Sequence, residues 1–257
     1  MITIHALQNN RMTVEFNELT IQQSLDISTV PDHLIESQIT KMLRYCVKSA
    51  KGIDSDPINW TIQERMAAVS HYLACVNYND VNGFDFDIGD GNYSDYFDPS
   101  LTISSSLKEA SIDYKVGGDN WKIQHLTGVM AEAIELTQGI IAINPSVHFL
   151  MGSMAAQLVM DSEKTPVFEL EQQRYDWLVN RINAFLAYPE SDFELLLSLF
   201  LTYKKQLDHF FIIDTDSIGF LAKQLESSKE VSELPPTRFC PSFCISRTAR
   251  QMAGLSK

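Results

Sequence analysis

A stripe of apolar residues at helical spacing runs through residues 169–187 and limits what this chain can fold into. The stripe consists of Leu170, Trp177, Leu178, Ile182, Phe185 and Leu186. Charged and amide side chains lie mostly on the opposite face, which is the pattern of an amphipathic helix. Since such a helix cannot shield its apolar face alone, the chain must supply further elements that pack against it.

Other segments have the same helical period. Residues 61–64 read Thr-Ile-Gln-Glu, a capping box whose hydroxyl and carboxylate satisfy the free N–H groups at the start of a helix. The residues that follow place Met66, Val69, Leu73 and Val76 on one face. Helices are also predicted from residue 18 to 46 around a break at Pro31, over residues 127–137 and 147–158, from an N-cap at Ser191 to Lys205, and over residues 217–225.

Two pairs of segments alternate between apolar and polar residues instead. Residues 2–7 and 12–16 flank Asn9-Asn10, and residues 112–116 and 121–125 flank Gly117-Gly118. Both asparagine and glycine suit the backbone of tight turns. The sequence therefore predicts an α+β fold that is mainly α-helical, with one or two small antiparallel β-hairpins.

The charge balance excludes several classes of function. The 257 residues contain 20 Lys and Arg against 33 Asp and Glu, a net charge of −13. Nucleic-acid binding needs clustered basic residues, and anionic membranes repel such a chain, so neither partner is expected. Residues 1–7 have no basic and apolar signal pattern, and four cysteines do not make a disulfide scaffold. We expect a soluble protein made in the cytosol.

The C-terminal residues differ from the rest of the chain. Residues 237–257 carry four positive charges and no negative one, which leaves the preceding residues at −17. The predicted organisation is a hairpin-plus-helix region over residues 1–125, a helical region packed on it over 126–230, and an extended basic tail over 231–257. The tail is expected to dock on an acidic surface, either its own body or a neighbouring subunit. The predicted partner contacts are Arg238, Phe239, Phe243, Arg247 and Arg250.

The candidates for chemistry are few. Cys240 and Cys244 would bind zinc or an iron–sulfur cluster only if Cys46 and Cys75 completed the ligand set, and buried core thiols are the commoner role of such residues. Glu132 and Glu135 share a helix face, which predicts a solvated surface more readily than acid–base catalysis. The six histidines are scattered. No catalytic residue, metal or cofactor is predicted.

Three segments of the N-terminal half resemble a known family. They are Leu19-Thr-Ile-Gln-Gln-Ser-Leu25 after the short hairpin, Asp56-Pro-Ile-Asn-Trp60-Thr-Ile-Gln-Glu-Arg65, and Tyr93-Ser-Asp-Tyr-Phe-Asp98. These segments are similar to small baseplate-hub and tail-assembly proteins of tailed bacteriophages. The resemblance implies a non-enzymatic protein that packs against other tail proteins or itself, in the host cytoplasm during assembly and in the virion tail.

The leading hypothesis is therefore a structural or assembly protein, or a chaperone, of a phage tail or baseplate. Two alternatives stay open, namely a metal-binding module that uses the cysteines and a hydrolase whose carboxylates the sequence does not connect. Deletion of residues 237–257 is expected to abolish association and to leave the thermal transition largely intact.

Overall fold

The computed structural model describes residues 4–77, 87–88, 91–100, 109–116, 118–160, 162–163, 168, 170–225, 233–245 and 247–252. Within these ranges the side chains of residues 77, 87–88, 109–114, 243, 247 and 250 lie outside the description. The predicted class is confirmed, because the described residues form an α+β fold in which helices surround small antiparallel sheets.

The helices α1 to α7 begin and end close to their predicted limits, whereas α8 lies in the segment that was predicted to be an extended tail. They are α1 (Ile21–Ile27), α2 (Ile35–Cys46), α3 (Ile62–Asn77), α4 (Gly128–Leu136), α5 (Pro145–Gln157), α6 (Glu171–Leu186), α7 (Glu190–Lys204) and α8 (Arg247–Met252). The predicted capping box forms at α3, where the Glu64 N–H donates to Thr61 Oγ1 at 3.1 Å and the Thr61 N–H donates to Glu64 Oε2 at 2.8 Å. The predicted N-cap at Ser191 is wrong, because α7 begins at Glu190 and Pro189 occupies the cap position.

The strands form hairpins and three-stranded sheets. They are β1 (Leu7–Gln8), β2 (Thr13–Phe16), β3 (Val47–Lys51), β4 (Asp87–Ile88), β5 (Gly91–Asn92), β6 (Glu109–Val116), β7 (Asp119–Gln124), β8 (Leu158–Met160), β9 (Ile212–Thr215) and β10 (Phe220–Lys223). Both predicted hairpins are confirmed: β1 pairs with β2, and β6 pairs with β7. Each gains a third strand from elsewhere, since β3 pairs with β2 and β8 pairs with β7.

A hairpin replaces the helix predicted over residues 217–225. β9 and β10 pair with Asp214 opposite Leu221, and Asp216 begins the turn between them. The Asp216 Oδ1 atom accepts the N–H groups of Ile218 at 2.8 Å and Gly219 at 3.0 Å. Such Asx turns offer the backbone an alternative to helical hydrogen bonds, which is why the helical prediction failed here.

Both edges of this hairpin are partly covered. On the β9 side the Thr215 N–H donates to Asp214 Oδ1 at 2.9 Å. On the β10 side Ala222 exchanges two backbone hydrogen bonds with Thr237, at 2.8 and 2.9 Å. These contacts occupy backbone groups that an edge strand otherwise offers to another strand.

One hydrophobic core contains side chains from all three predicted regions. Val14, Trp60, Phe149, Leu178 and Phe239 all belong to it. The boundaries near residues 125 and 230 stay predictions, but the regions on either side of them pack together. Among the described residues, none of the helices has both the length and the apolar character needed to cross a membrane.

Candidate functional site

The C-terminal segment docks on the body of its own chain. Phe239 is only 2% exposed, and its ring packs 5.4 Å from that of Phe211 and 5.9 Å from that of Tyr93, measured between centroids. The Phe239 ring therefore has almost no surface to offer in this structure, and its predicted contact with a partner stays a prediction. Apolar residues without periodicity indicated burial correctly, but the sequence left open which chain would bury them.

Arg238 is also used inside the fold. Its Nη2 atom donates to Asp216 Oδ1 at 2.6 Å, and its Nε atom donates to the Phe220 carbonyl oxygen at 3.3 Å. This ion pair realises the predicted attraction between a basic segment and an acidic body, within one chain. The side chains of Phe243, Arg247 and Arg250 lie outside the described residues, so their role in partner contacts stays a prediction.

The four cysteines are free thiols. Cys75 Sγ lies 3.7 Å from His71 Nε2, whereas Cys244 Sγ lies 4.0 Å from the Val69 carbonyl oxygen. Burial raises the pKa of the Cys46, Cys75, Cys240 and Cys244 thiols, which disfavours the thiolate form that binds metals. Across the described part of the chain, no three His, Cys, Asp or Glu side chains are arranged to hold a metal ion.

A buried histidine that the sequence did not single out joins α3 to the segment after α7. His209 Nδ1 lies 2.9 Å from the Leu207 carbonyl oxygen, and Nε2 lies 2.9 Å from Thr61 Oγ1. Since a carbonyl oxygen only accepts, Nδ1 carries the proton and Nε2 accepts from the Thr61 hydroxyl. Burial lowers the pKa of His209 to about 4, so the ring is neutral at physiological pH.

The backbone beside His209 is strained. Phe210 has φ of 62°, in the left-handed region that bulky residues avoid. The Phe211 N–H closes the turn on the His209 carbonyl oxygen at 2.7 Å, the hydrogen-bond pattern of a γ-turn. The buried Phe210 ring stacks on Phe97 with centroids 6.1 Å apart, and this packing offsets the strain.

Thr61 and His209 have the contact of a nucleophile and its general base, but neither has access to a substrate. His209 is 0% exposed, Thr61 is buried, and the Thr61 hydroxyl oxygen is already occupied by the helix cap. A nearby cavity lined by Gln63, His125 and Lys204 holds about 20 Å³, room for a water molecule and not for an organic substrate. The pair therefore fixes the start of α3 against the β9 region.

Glu132 and Glu135 do not form the solvated face that was expected. The Glu135 carboxylate lies over the first turn of α2, where Oε1 accepts the Glu36 N–H at 2.8 Å. Oε2 accepts the Ser37 N–H at 3.1 Å and the Ser37 hydroxyl at 3.0 Å. Burial and the neighbouring Glu36 carboxylate raise the pKa of Glu135 to about 7. Residues 99 positions apart are thus joined, which the sequence had no way to signal.

Arg65 of α3 is the guanidinium at the centre of this polar cluster. It is 1% exposed, and its Nη2 atom donates to Glu36 Oε2 at 3.1 Å and to the Glu36 carbonyl oxygen at 2.7 Å. Its Nη1 atom donates to Thr40 Oγ1 at 2.7 Å. Buried charges of this kind persist only when paired and hydrogen-bonded, as here.

An exposed apolar surface lies where the loop between α4 and α5 meets the β9–β10 turn. We call it the apolar corner, and its exposed side chains are Leu136, Ile140, Val147 and Ile218. Ile140 is 63% exposed, and Gln138 Nε2 donates to the Ser217 carbonyl oxygen at 2.9 Å, which joins the two loops. Residues 136–147 contain no Asp, Glu, Lys or Arg. Large apolar side chains exposed on neighbouring loops are typical of protein-interaction sites.

Comparison with known proteins gives no relative. No protein-family model, no curated protein and no solved structure matches this chain.

Proposed function

We propose that this protein is a non-enzymatic structural or assembly protein that acts by packing against other proteins. The apolar corner carries the proposal, because it exposes four large apolar side chains and its residues 136–147 carry no charge, on a chain of net charge −13. Because the N-terminal half resembles tail-assembly proteins, we propose that the protein acts in a phage tail or baseplate.

The partner that fits the apolar corner is a protein with an apolar, uncharged face of its own. A basic partner would be drawn to the acidic body, and its binding would weaken as salt screens the charges. Contact at the corner depends on apolar burial instead, which salt does not weaken. Association that persists in high salt therefore distinguishes the corner from the acidic surface.

The test is affinity capture of tail proteins from a lysate of infected host cells. The natural sequence should retain named tail or baseplate proteins in about 1 M NaCl, where the Debye length is only ~3 Å. Ile140→Asp should lose them, because a carboxylate would be buried without a partner. Ile21→Asp is the matched control, since Ile21 is an exposed apolar residue at the start of α1.

Three outcomes contradict the proposal. Equal capture by the two Asp variants would show that the corner is not the contact surface. Elution of the partner by moderate salt would favour the charged surface instead. Self-association of the purified chain, lost in Ile140→Asp, would show that a second copy occupies the corner and not a different protein.

A further inference from the structure

Three carboxyl groups between α2 and α4 interact electrostatically, and one buried guanidinium acts on two of them, Glu36 and Glu132. Glu36 comes from α2, Glu132 and Glu135 from α4, and Arg65 from α3. Arg65 pairs directly with Glu36, and Glu135 binds the N-terminal turn of α2. Glu132 Oε1 is buried and has no hydrogen-bond donor among the described residues. One buried cation therefore faces more than one negative charge.

The other charged groups around the cluster do not restore the balance. Arg44 lies near Glu132 but is half exposed and forms a bidentate pair with Asp56. Arg238 lies near Glu36 but is paired with Asp216. Glu171 at the start of α6 adds a further negative charge that acts on Glu132.

We propose that these three carboxyl groups share at least one proton at neutral pH, and that the contact between α2 and α4 is a joint that weakens when the proton leaves. Arg65 balances the charge of one carboxylate, and the bound proton neutralises another. Loss of the proton places unbalanced carboxylates beside each other in a site with little water.

A proton fits the cluster better than a metal ion does. Both oxygens of Glu135 already accept hydrogen bonds from α2, and Glu36 accepts from Arg65. The described residues offer no set of three acidic, histidine or cysteine side chains in a ligating arrangement. Burial raises the pKa of all three carboxyl groups, and because they interact, the proton belongs to the cluster and not to one residue.

The direction of the pH effect follows from linkage. The pKa of Glu135 rises from 4.5 to about 7 on folding, so the folded protein binds more protons than the unfolded chain between these values. The contribution of the cluster to stability is complete below pH 4.5 and is lost as pH rises through about 7. For each excess proton, the unfolding equilibrium constant rises up to about tenfold per pH unit.

Buried histidines change the pH dependence of stability in the opposite direction, so their contribution must be separated from that of the carboxyl groups. Burial lowers the pKa of His71, His148 and His209, so their contribution is present at neutral pH and lost in acid. Burial raises the pKa of Asp208, which acts in the same direction as the cluster. Comparison of matched variants removes these shared contributions.

The experiment measures urea unfolding of the full chain from about pH 5 to about pH 9. Glu132→Gln and Glu135→Gln should flatten the loss of stability between about pH 5 and about pH 7, where the folded protein holds more protons than the unfolded chain. Glu194→Gln is the control, because Glu194 is exposed on α7 and should keep the pH profile of the natural sequence. Unchanged profiles in both cluster variants would overturn the proposal.

Two measurements on the natural sequence keep the proposal testable if a variant fails to fold. Infrared spectra at pH 7 should contain the carbonyl stretch of a buried carboxylic acid, and its absence would overturn the proposal. Hydrogen exchange at the Glu36 and Ser37 amides should show reduced protection above pH 7, after correction for intrinsic rates. A thermal transition that falls with EDTA and recovers with a divalent cation would assign the charge balance to a metal instead.

Discussion

At the scale of single residues, Arg65 has room in the core because residue 128 lacks a side chain. A Cβ atom at Gly128 would lie 2.0 Å from Arg65 Nη1 and 2.8 Å from the Ile58 carbonyl oxygen. The absence of a side chain at Gly128 therefore leaves the space that the guanidinium occupies when it pairs with Glu36. The sequence predicted a helix start near residue 127, but nothing in it connects this glycine to an arginine on another helix.

Gly128→Ala should destabilise the protein by about 3–5 kcal/mol, because the added methyl group displaces the guanidinium from its buried partner. Urea denaturation measures the change. Gly139→Ala is the control, since that position has open space and a positive φ of 83° and should lose only about 1–2 kcal/mol. Equal losses at the two glycines would show that Arg65 does not depend on the space at residue 128.

At the scale of elements, local signals predicted more than long-range ones. The capping box at Thr61 and the asparagine turn after β1 act within a few residues, and both were correct. The segment over residues 217–225 failed because the Asp216 side chain holds a turn where apolar spacing suggested a helix. The addition of β3 and β8 to the two hairpins depends on distant pairing, which spacing within a segment cannot reveal.

The buried state of the C-terminal segment changes what its removal should do. Phe239, Cys244, Ile245 and Ala249 all lie in the core. Deletion of residues 237–257 is therefore expected to lower the thermal transition, contrary to the expectation from the sequence. Charge alone suggested a tail that binds elsewhere, whereas the apolar residues among the arginines hold it in place.

Phe239→Ala should lose about 3–5 kcal/mol of stability, because it leaves a cavity between Tyr93 and Phe211. Met252→Ala in the same segment should change stability by no more than about 0.5 kcal/mol, since Met252 is 63% exposed. Calorimetry of the two variants compares buried and exposed truncations directly. A small loss at Phe239 would mean that the segment leaves the core in solution.

At the scale of the whole molecule, the net charge of −13 opposes compaction. Added salt screens the repulsion between these charges and should therefore stabilise the fold. The melting temperature should rise between about 0.01 and about 0.15 M NaCl, as the Debye length falls from ~30 to ~8 Å. Scanning calorimetry at constant pH gives the result. A falling melting temperature would mean that attractive ion pairs, such as that of Arg238 with Asp216, outweigh the overall repulsion.

The partly covered edges of the β9–β10 hairpin also restrict how copies of this chain can meet. Asp214 accepts the Thr215 N–H of β9, and Thr237 pairs with Ala222 of β10, so the hairpin has fewer free backbone groups to pair with an added strand. Contacts that another molecule makes with this hairpin must then be made by side chains, whose shape and polarity select the partner. At high protein concentration this hairpin is therefore a poor starting point for a continuous intermolecular sheet.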